Sequence, residues 1–140
     1  SPIPRLDLSV DADIARGLAD VLNGRLLVVA VGITESEQVW ADLVTSPGVI
    51  ERRIRPAKMP MYLAQRREEP NGEQFDVSVV DPAVLGNLLR SAALMLEEDA
   101  DSPVSLQVSQ PAGSTVAQIV VDVAGSEVVT DLMGVPVTDR

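Results

Sequence analysis

The chain has 140 residues, 46% of them hydrophobic, with 21 acidic and 11 basic residues and a formal net charge of −10. It contains neither cysteine nor histidine, which excludes disulfides, thiolate nucleophiles, Ser-His-Asp triads and imidazole acid/base work, and leaves few zinc sites open. The negative charge, with Trp40, Tyr62 and Phe75 as the only aromatic side chains, argues against nucleic acid and anionic membrane as partners.

This length fits one domain, residues 1–140, with a core that needs no staples. No apolar run approaches the roughly 18–20 residues that cross a bilayer. With no signal-peptide pattern, the cytoplasm is the default compartment.

Residues 1–9 carry Pro2 and Pro4 and read as an extended lead-in, with an edge strand at Leu6 and Leu8. Asp11 is placed to cap a helix striped by Ile14, Leu18, Val21 and Leu22, and Asn23-Gly24 supplies a left-handed stop. Leu26 to Ile33 is an unbroken, valine-rich run whose length suits a strand covered on both faces. Thr34 and Glu37 have capping-box spacing, which predicts a second helix buried through Val39, Trp40, Leu43 and Val44 and ended by Ser46-Pro47-Gly48.

The pattern then becomes extended. Val49 to Arg55 and Met61 to Arg67 read as strands, with Pro56 and Pro60 breaking the chain between them. Asn71-Gly72 predicts a hairpin turn leading into alternation at Phe75, Val77 and Val79. The strongest helix signal follows, over 81–98: Asp81 caps it, Pro82 opens it, and Val84, Leu85, Leu88, Leu89, Ala92, Met95 and Leu96 form one apolar face. Beyond it, Val104 to Val108, Ala117 to Val123 and Val128 to Met133 read as strands joined by short turns, which points to antiparallel pairing. The expected fold is α+β: a mainly antiparallel sheet with two or three amphipathic helices packed on it in a single layer pair.

Three stretches invite a functional reading. Arg52, Arg53, Arg55, Lys58, Arg66 and Arg67 gather six of the eleven basic residues into one segment, so residues 51–69 carry a net +3 in a chain of −10. Alternation places Arg53 and Arg55 on one side of their strand, while Arg52 shares the other with Ile50 and Ile54. Arg53, Arg55, Arg66 and Arg67 are therefore the expected patch for an acidic protein partner. The competing expectation is an edge blunted with charge, its arginines paired to the chain's own acids. Glu97, Glu98, Asp99 and Asp101 form an acidic helix end, without the spacing of a calcium loop.

The third stretch is a pair of segments. Asp81-Pro82-Ala83-Val84-Leu85-Gly86-Asn87-Leu88-Leu89-Arg90-Ser91-Ala92 resembles the N-box helix of the GHKL ATPases and histidine kinases. Val120-Val121-Asp122-Val123-Ala124-Gly125 resembles their adenine-binding box. The resemblance implies a nucleotide site in which Asp122 reads the adenine. Ser91 would stand where the family has its magnesium-holding asparagine, and Asn87 would match a preceding asparagine. One glycine of the box is missing, and no glycine-rich lid follows.

No Walker loop, dinucleotide fingerprint or metal-ligand spacing is present, and no cofactor is expected. The sequence points first to a nonenzymatic protein-interaction domain, a chaperone, adaptor or regulatory module, that uses the basic segment and is open to homodimer formation. A degenerate GHKL-type nucleotide-binding domain and a structural subunit of a phage or other assembly are the alternatives.

Overall fold

The computed structural model describes residues 3–137, so Ser1 and Pro2 of the lead-in lie outside it. In chain order the elements are α1 (Asp11–Leu22), β1 (Leu27–Val28), β2 (Ala30–Ile33), β3 (Gln38–Ser46), β4 (Val49–Pro56), β5 (Tyr62–Arg67), β6 (Gly72–Glu73) and β7 (Phe75–Asp76). A 3-10 turn (Val77–Val79), α2 (Pro82–Met95), β8 (Val104–Pro111), β9 (Gln118–Val123) and β10 (Ser126–Thr130) complete them. The main sheet runs β10-β9-β8-β2-β3-β4-β5, with β6 added beside the end of β8 and β1 paired separately to β7. Every strand pair is antiparallel. The fold of the described residues is α+β, a mainly antiparallel sheet with two helices.

Alternation along the strands sorts side chains onto two faces. Val31, Ile33, Val39, Ala41, Leu43, Leu106, Val108, Ile119, Val121 and Val123 meet Ile14, Leu18 and Val21 of α1 and Leu85, Leu88 and Ala92 of α2 in one large core. The opposite face carries a small second cluster of Ala30, Trp40 and Ile54. There the Trp40 ring lies on bare backbone: a Cβ at Gly32 would stand 2.5 Å from the ring. Any larger residue at position 32 would lift the indole off the sheet.

Both helices start and stop for local reasons. In α1, Val10 occupies the N-cap without a side-chain bond, so Asp11 lies in the first turn rather than capping it, and Asn23 (φ 46°) closes the C-terminus. Asp81 caps α2 by accepting from the Ala83 N–H at 2.9 Å, with Pro82 first in the helix. The helix ends at Met95, short of 98, because Glu97 turns left-handed (φ 56°) and the Glu98 N–H bonds back to the Ala93 carbonyl. That stop leaves Glu97, Glu98, Asp99 and Asp101 in the following loop, outside the last turn where the helix dipole opposes anions.

Four further expectations are corrected. No helix follows Thr34; residues 34–37 are a turn and 38–46 a strand. Glu37 is left-handed (φ 61°), and Thr34 Oγ1 accepts from the Gln38 N–H, so the supposed cap closes a hairpin. Val39 and Leu43 face the helices while Trp40 faces away, as period two demands. Asn71-Gly72 does not turn a hairpin into Phe75: Gly72 pairs with Pro111, and Val77 to Val79 are a 3-10 turn. The run Leu26–Ile33 is broken at Val29 into β1 and β2. Leu6 and Leu8 are buried but form no strand; the Leu6 N–H bonds to the Ala57 carbonyl.

Candidate interaction edge

The basic segment builds two different structures. Along β4, Arg53 and Arg55 turn toward the helix layer, because they pair with Ala41 and Val39, which sit in the main core. Arg53 Nε donates to the Val21 carbonyl at 2.7 Å, satisfying an open acceptor at the C-terminus of α1, and Nη1 reaches Glu51 at 3.5 Å. Arg55 is only 4% exposed. Its Nε donates to Asp20 at 3.0 Å, Nη1 bonds the carbonyls of Met59 (3.1 Å) and Pro56, and Nη2 bonds that of Pro4. These two arginines stitch α1, the lead-in and the β4–β5 loop together. The expectation that they form the accessible patch is therefore overturned.

Arg52 lies on the other face. Its guanidinium sits 3.9 Å from the Trp40 ring centroid, a cation–π stack that covers the indole. It also binds Asp42 by two bonds, Nε to Oδ1 at 2.8 Å and Nη2 to Oδ2 at 3.0 Å. The same buried carboxylate takes Arg66 Nη2 at 3.2 Å, and Arg66 Nε holds Glu68 at 2.5 Å. The Glu68 hydrogen bond, then the contacts with Asp42, raise the Arg66 pKa further above its ordinary value, while partial burial opposes them. Most of the basic segment is thus neutralised by the chain's own acids. Lys58 and Arg67 are exposed and make no ion pair among the described residues.

β5 ends the sheet, and all six of its residues are exposed. Its pairing phase is set by one bond beyond the strand, Glu68 N–H to the Gly48 carbonyl at 2.9 Å. Residues 48 and 68 extend the register in which Ile50 faces Arg66 and Arg52 faces Ala64. In an antiparallel ladder, bonded and non-bonded pairs alternate. Tyr62, Ala64 and Arg66 therefore spend their backbone groups on β4, while Leu63, Gln65 and Arg67 turn N–H and C=O outward. Beside the first half of this edge, Met59 (61% exposed), Met61, Tyr62 and Leu63 form an apolar shoulder. It borders a cavity of about 460 Å³, lined among others by Gln38, Pro56, Lys58, Met59, Met61 and Tyr62.

The opposite edge, β10, is covered at its Thr130 end. The chain folds back after Thr130: Asp131 Oδ1 accepts from the N–H groups of Met133 and Val135, at 2.9 and 3.0 Å. The returning segment bridges Thr130 to Pro136, and the Val137 N–H bonds the Val129 carbonyl at 2.9 Å.

The residues of the GHKL resemblance are not brought together. Asn87 and Ser91 lie on α2, where Ser91 Oγ donates to the Asn87 carbonyl at 2.7 Å. Asp122 pairs with Ser105 and Glu127 on the face of the sheet away from the helices, and accepts from the Gly125 N–H. Its neighbours Val121 and Val123 are the ones that meet the helices. The sheet thus separates Asp122 from Asn87 and Ser91. Among the described residues no three acidic side chains are placed to hold a metal ion, and no helix is long and apolar enough to cross a membrane.

No protein-family model matches this chain, and no curated protein matches it either.

Proposed function

We propose that this chain is a nonenzymatic protein-interaction domain, of the chaperone or adaptor kind, that accepts an extended segment of a protein partner as an added strand along β5. The observation that carries this reading is the contrast between a β10 edge covered at its Thr130 end by the chain's own return and a β5 edge left with three outward pairs of backbone groups. Main-chain bonds to such an edge supply affinity, and the alternating side chains beside it supply selectivity. Arg67 and Lys58, exposed and unpaired among the described residues, favour a partner carrying acidic side chains. Arg53 and Arg55 have no part in this role.

The test is a photoreactive side chain at position 63 in the native host, in wild-type and Gln65→Pro backgrounds. Gln65 turns its N–H outward, so proline there removes one docking donor and leaves the β4–β5 ladder intact. The expected result is a discrete crosslinked species that disappears in Gln65→Pro. The same species at the same yield in a folded Gln65→Pro variant would reject the edge as the docking element.

A further inference from the structure

The side chains along β5 are not evenly distributed, and their order constrains what pairs with them. Apolar Met61, Tyr62 and Leu63 lie at its start, with Ala64 and Gln65 in the middle and Arg66 and Arg67 at its end. The two arginines are unequal. Arg66 already holds Asp42 and Glu68, so a further carboxylate opposite it would meet the Glu68 charge. Arg67 holds no carboxylate among the described residues, and Glu69, two residues on, is turned toward Gly48.

A strand added to this edge bonds to Leu63, Gln65 and Arg67. Antiparallel addition continues the arrangement of every strand pair among the described residues, and antiparallel ladders are slightly the more stable per residue. An antiparallel segment meets Arg67 with its first residue, Ala64 with its fourth, and Leu63 and Tyr62 with its fifth and sixth. From these juxtapositions we infer that the β5 edge selects an extended six-residue segment with a carboxylate first and bulky apolar side chains last. The first residue then lies opposite Arg67 and the second, opposite Arg66, is neutral. The fourth has room over Ala64. The last two cover the exposed Leu63 and Tyr62, beside the cavity that Met59 and Met61 border. This inference rests on the reading of β5 as the docking edge and specifies what docks there.

Labelled peptides in fluorescence anisotropy test it: Glu-Thr-Thr-Val-Leu-Val, the same sequence reversed, and a form with lysine in place of glutamate. The glutamate form should bind the wild type about fivefold more tightly than the lysine form, the range expected when one surface charge pair changes sign. In Arg67→Glu that preference should invert. The reversed peptide should bind more weakly than the forward one. N-methylation at the third residue, which donates to β5, should abolish binding, and N-methylation at the fourth should not. Forward and reversed peptides binding alike, with the third-residue methyl still abolishing binding, would overturn the inferred order and leave the edge intact. Preference unchanged in Arg67→Glu would remove the charge contact. Binding indifferent to the third-residue methyl, or no binding by any of the peptides, would overturn the edge and the inference together.

Discussion

The two edges of this sheet face the same physical problem and meet it differently. At β10 the chain turns back on Asp131, lays Pro136 against Thr130 and gives the Val137 N–H to the Val129 carbonyl. At β5 nothing among the described residues covers the ladder, and an apolar shoulder stands beside it. An uncovered edge is an aggregation hazard that folds ordinarily blunt with charge, proline or a bulge. Here Pro56, Pro60 and Pro70 flank β5 without entering it, the register with β4 is unbroken, and the arginines sit at one end only. The difference teaches that this fold has the means to cover the end of an edge strand and, among the described residues, applies them at β10 and not at β5. The strand behind the open edge is meanwhile held firmly, because Arg53 and Arg55 fasten β4 to α1.

That contrast can be broken at several points. The largest effect is expected at the fastening. Arg55→Met should cost about 2–4 kcal/mol in urea melts, because it removes a buried guanidinium together with its bonds to Asp20 and to the carbonyls of Pro4, Pro56 and Met59. A cost within about 0.5 kcal/mol, the range of surface substitutions, would show that β4 is not held through this side chain.

Proline scanning of β5 sharpens the phase of the edge. Ala64→Pro removes a bond to β4 and should destabilise by about 1–3 kcal/mol more than Gln65→Pro, which removes only an outward donor. Equal costs at the two positions would mean that the outward and inward residues have been exchanged.

The closed edge should open when its turn is cut. Asp131→Ala removes the acceptor of two backbone N–H groups and should cost about 1–2 kcal/mol. It should also raise exchange at the Val137 amide relative to wild type, measured by NMR. An unchanged Val137 amide would show that the return is held by packing, for which Leu132, partly buried on the main core, is the available group. The smallest effect belongs to Arg67→Ala, within about 0.5 kcal/mol of wild type, because its side chain makes no ion pair among the described residues. A larger loss would assign Arg67 to the fold and take it from the edge.

Much of the architecture was legible in the residues. The cap at Asp81-Pro82, the stop at Asn23 and the alternation in β8 and β9 each carry their physical cause in adjacent positions. The helix expected after Thr34 fails because Val39-Trp40 and Leu43-Val44 satisfy period 3.6 and period 2 alike over so short a span. What decides between them is pairing with β2 and β4, a tertiary fact. The accessible-arginine expectation fails for a similar reason. Alternation separates Arg52 from Arg53 and Arg55 correctly, but which side is covered depends on where α1 lies. Hydropathy alone makes Ile50 and Ile54 marks of the core face, yet Ile54 packs with Trp40 on the face away from the helices. The expectation that the arginines pair with the chain's own acids fits four of them, and the partners Asp20 and Asp42 are distant in sequence from those they hold. The free edge itself has no sequence signal, since it exists only once the strand order is known.

Residue-resolved amide hydrogen exchange along β5 tests the docking edge most directly. In the free protein, the amides of Leu63, Gln65 and Arg67 should exchange freely while those of Tyr62, Ala64 and Arg66 are protected by β4. Saturating Glu-Thr-Thr-Val-Leu-Val should then protect the first three and leave the second three unchanged. Protection of Leu63, Gln65 and Arg67 already present in the free monomer, or free exchange persisting at saturation, would contradict the assignment of β5 as the strand that receives a partner.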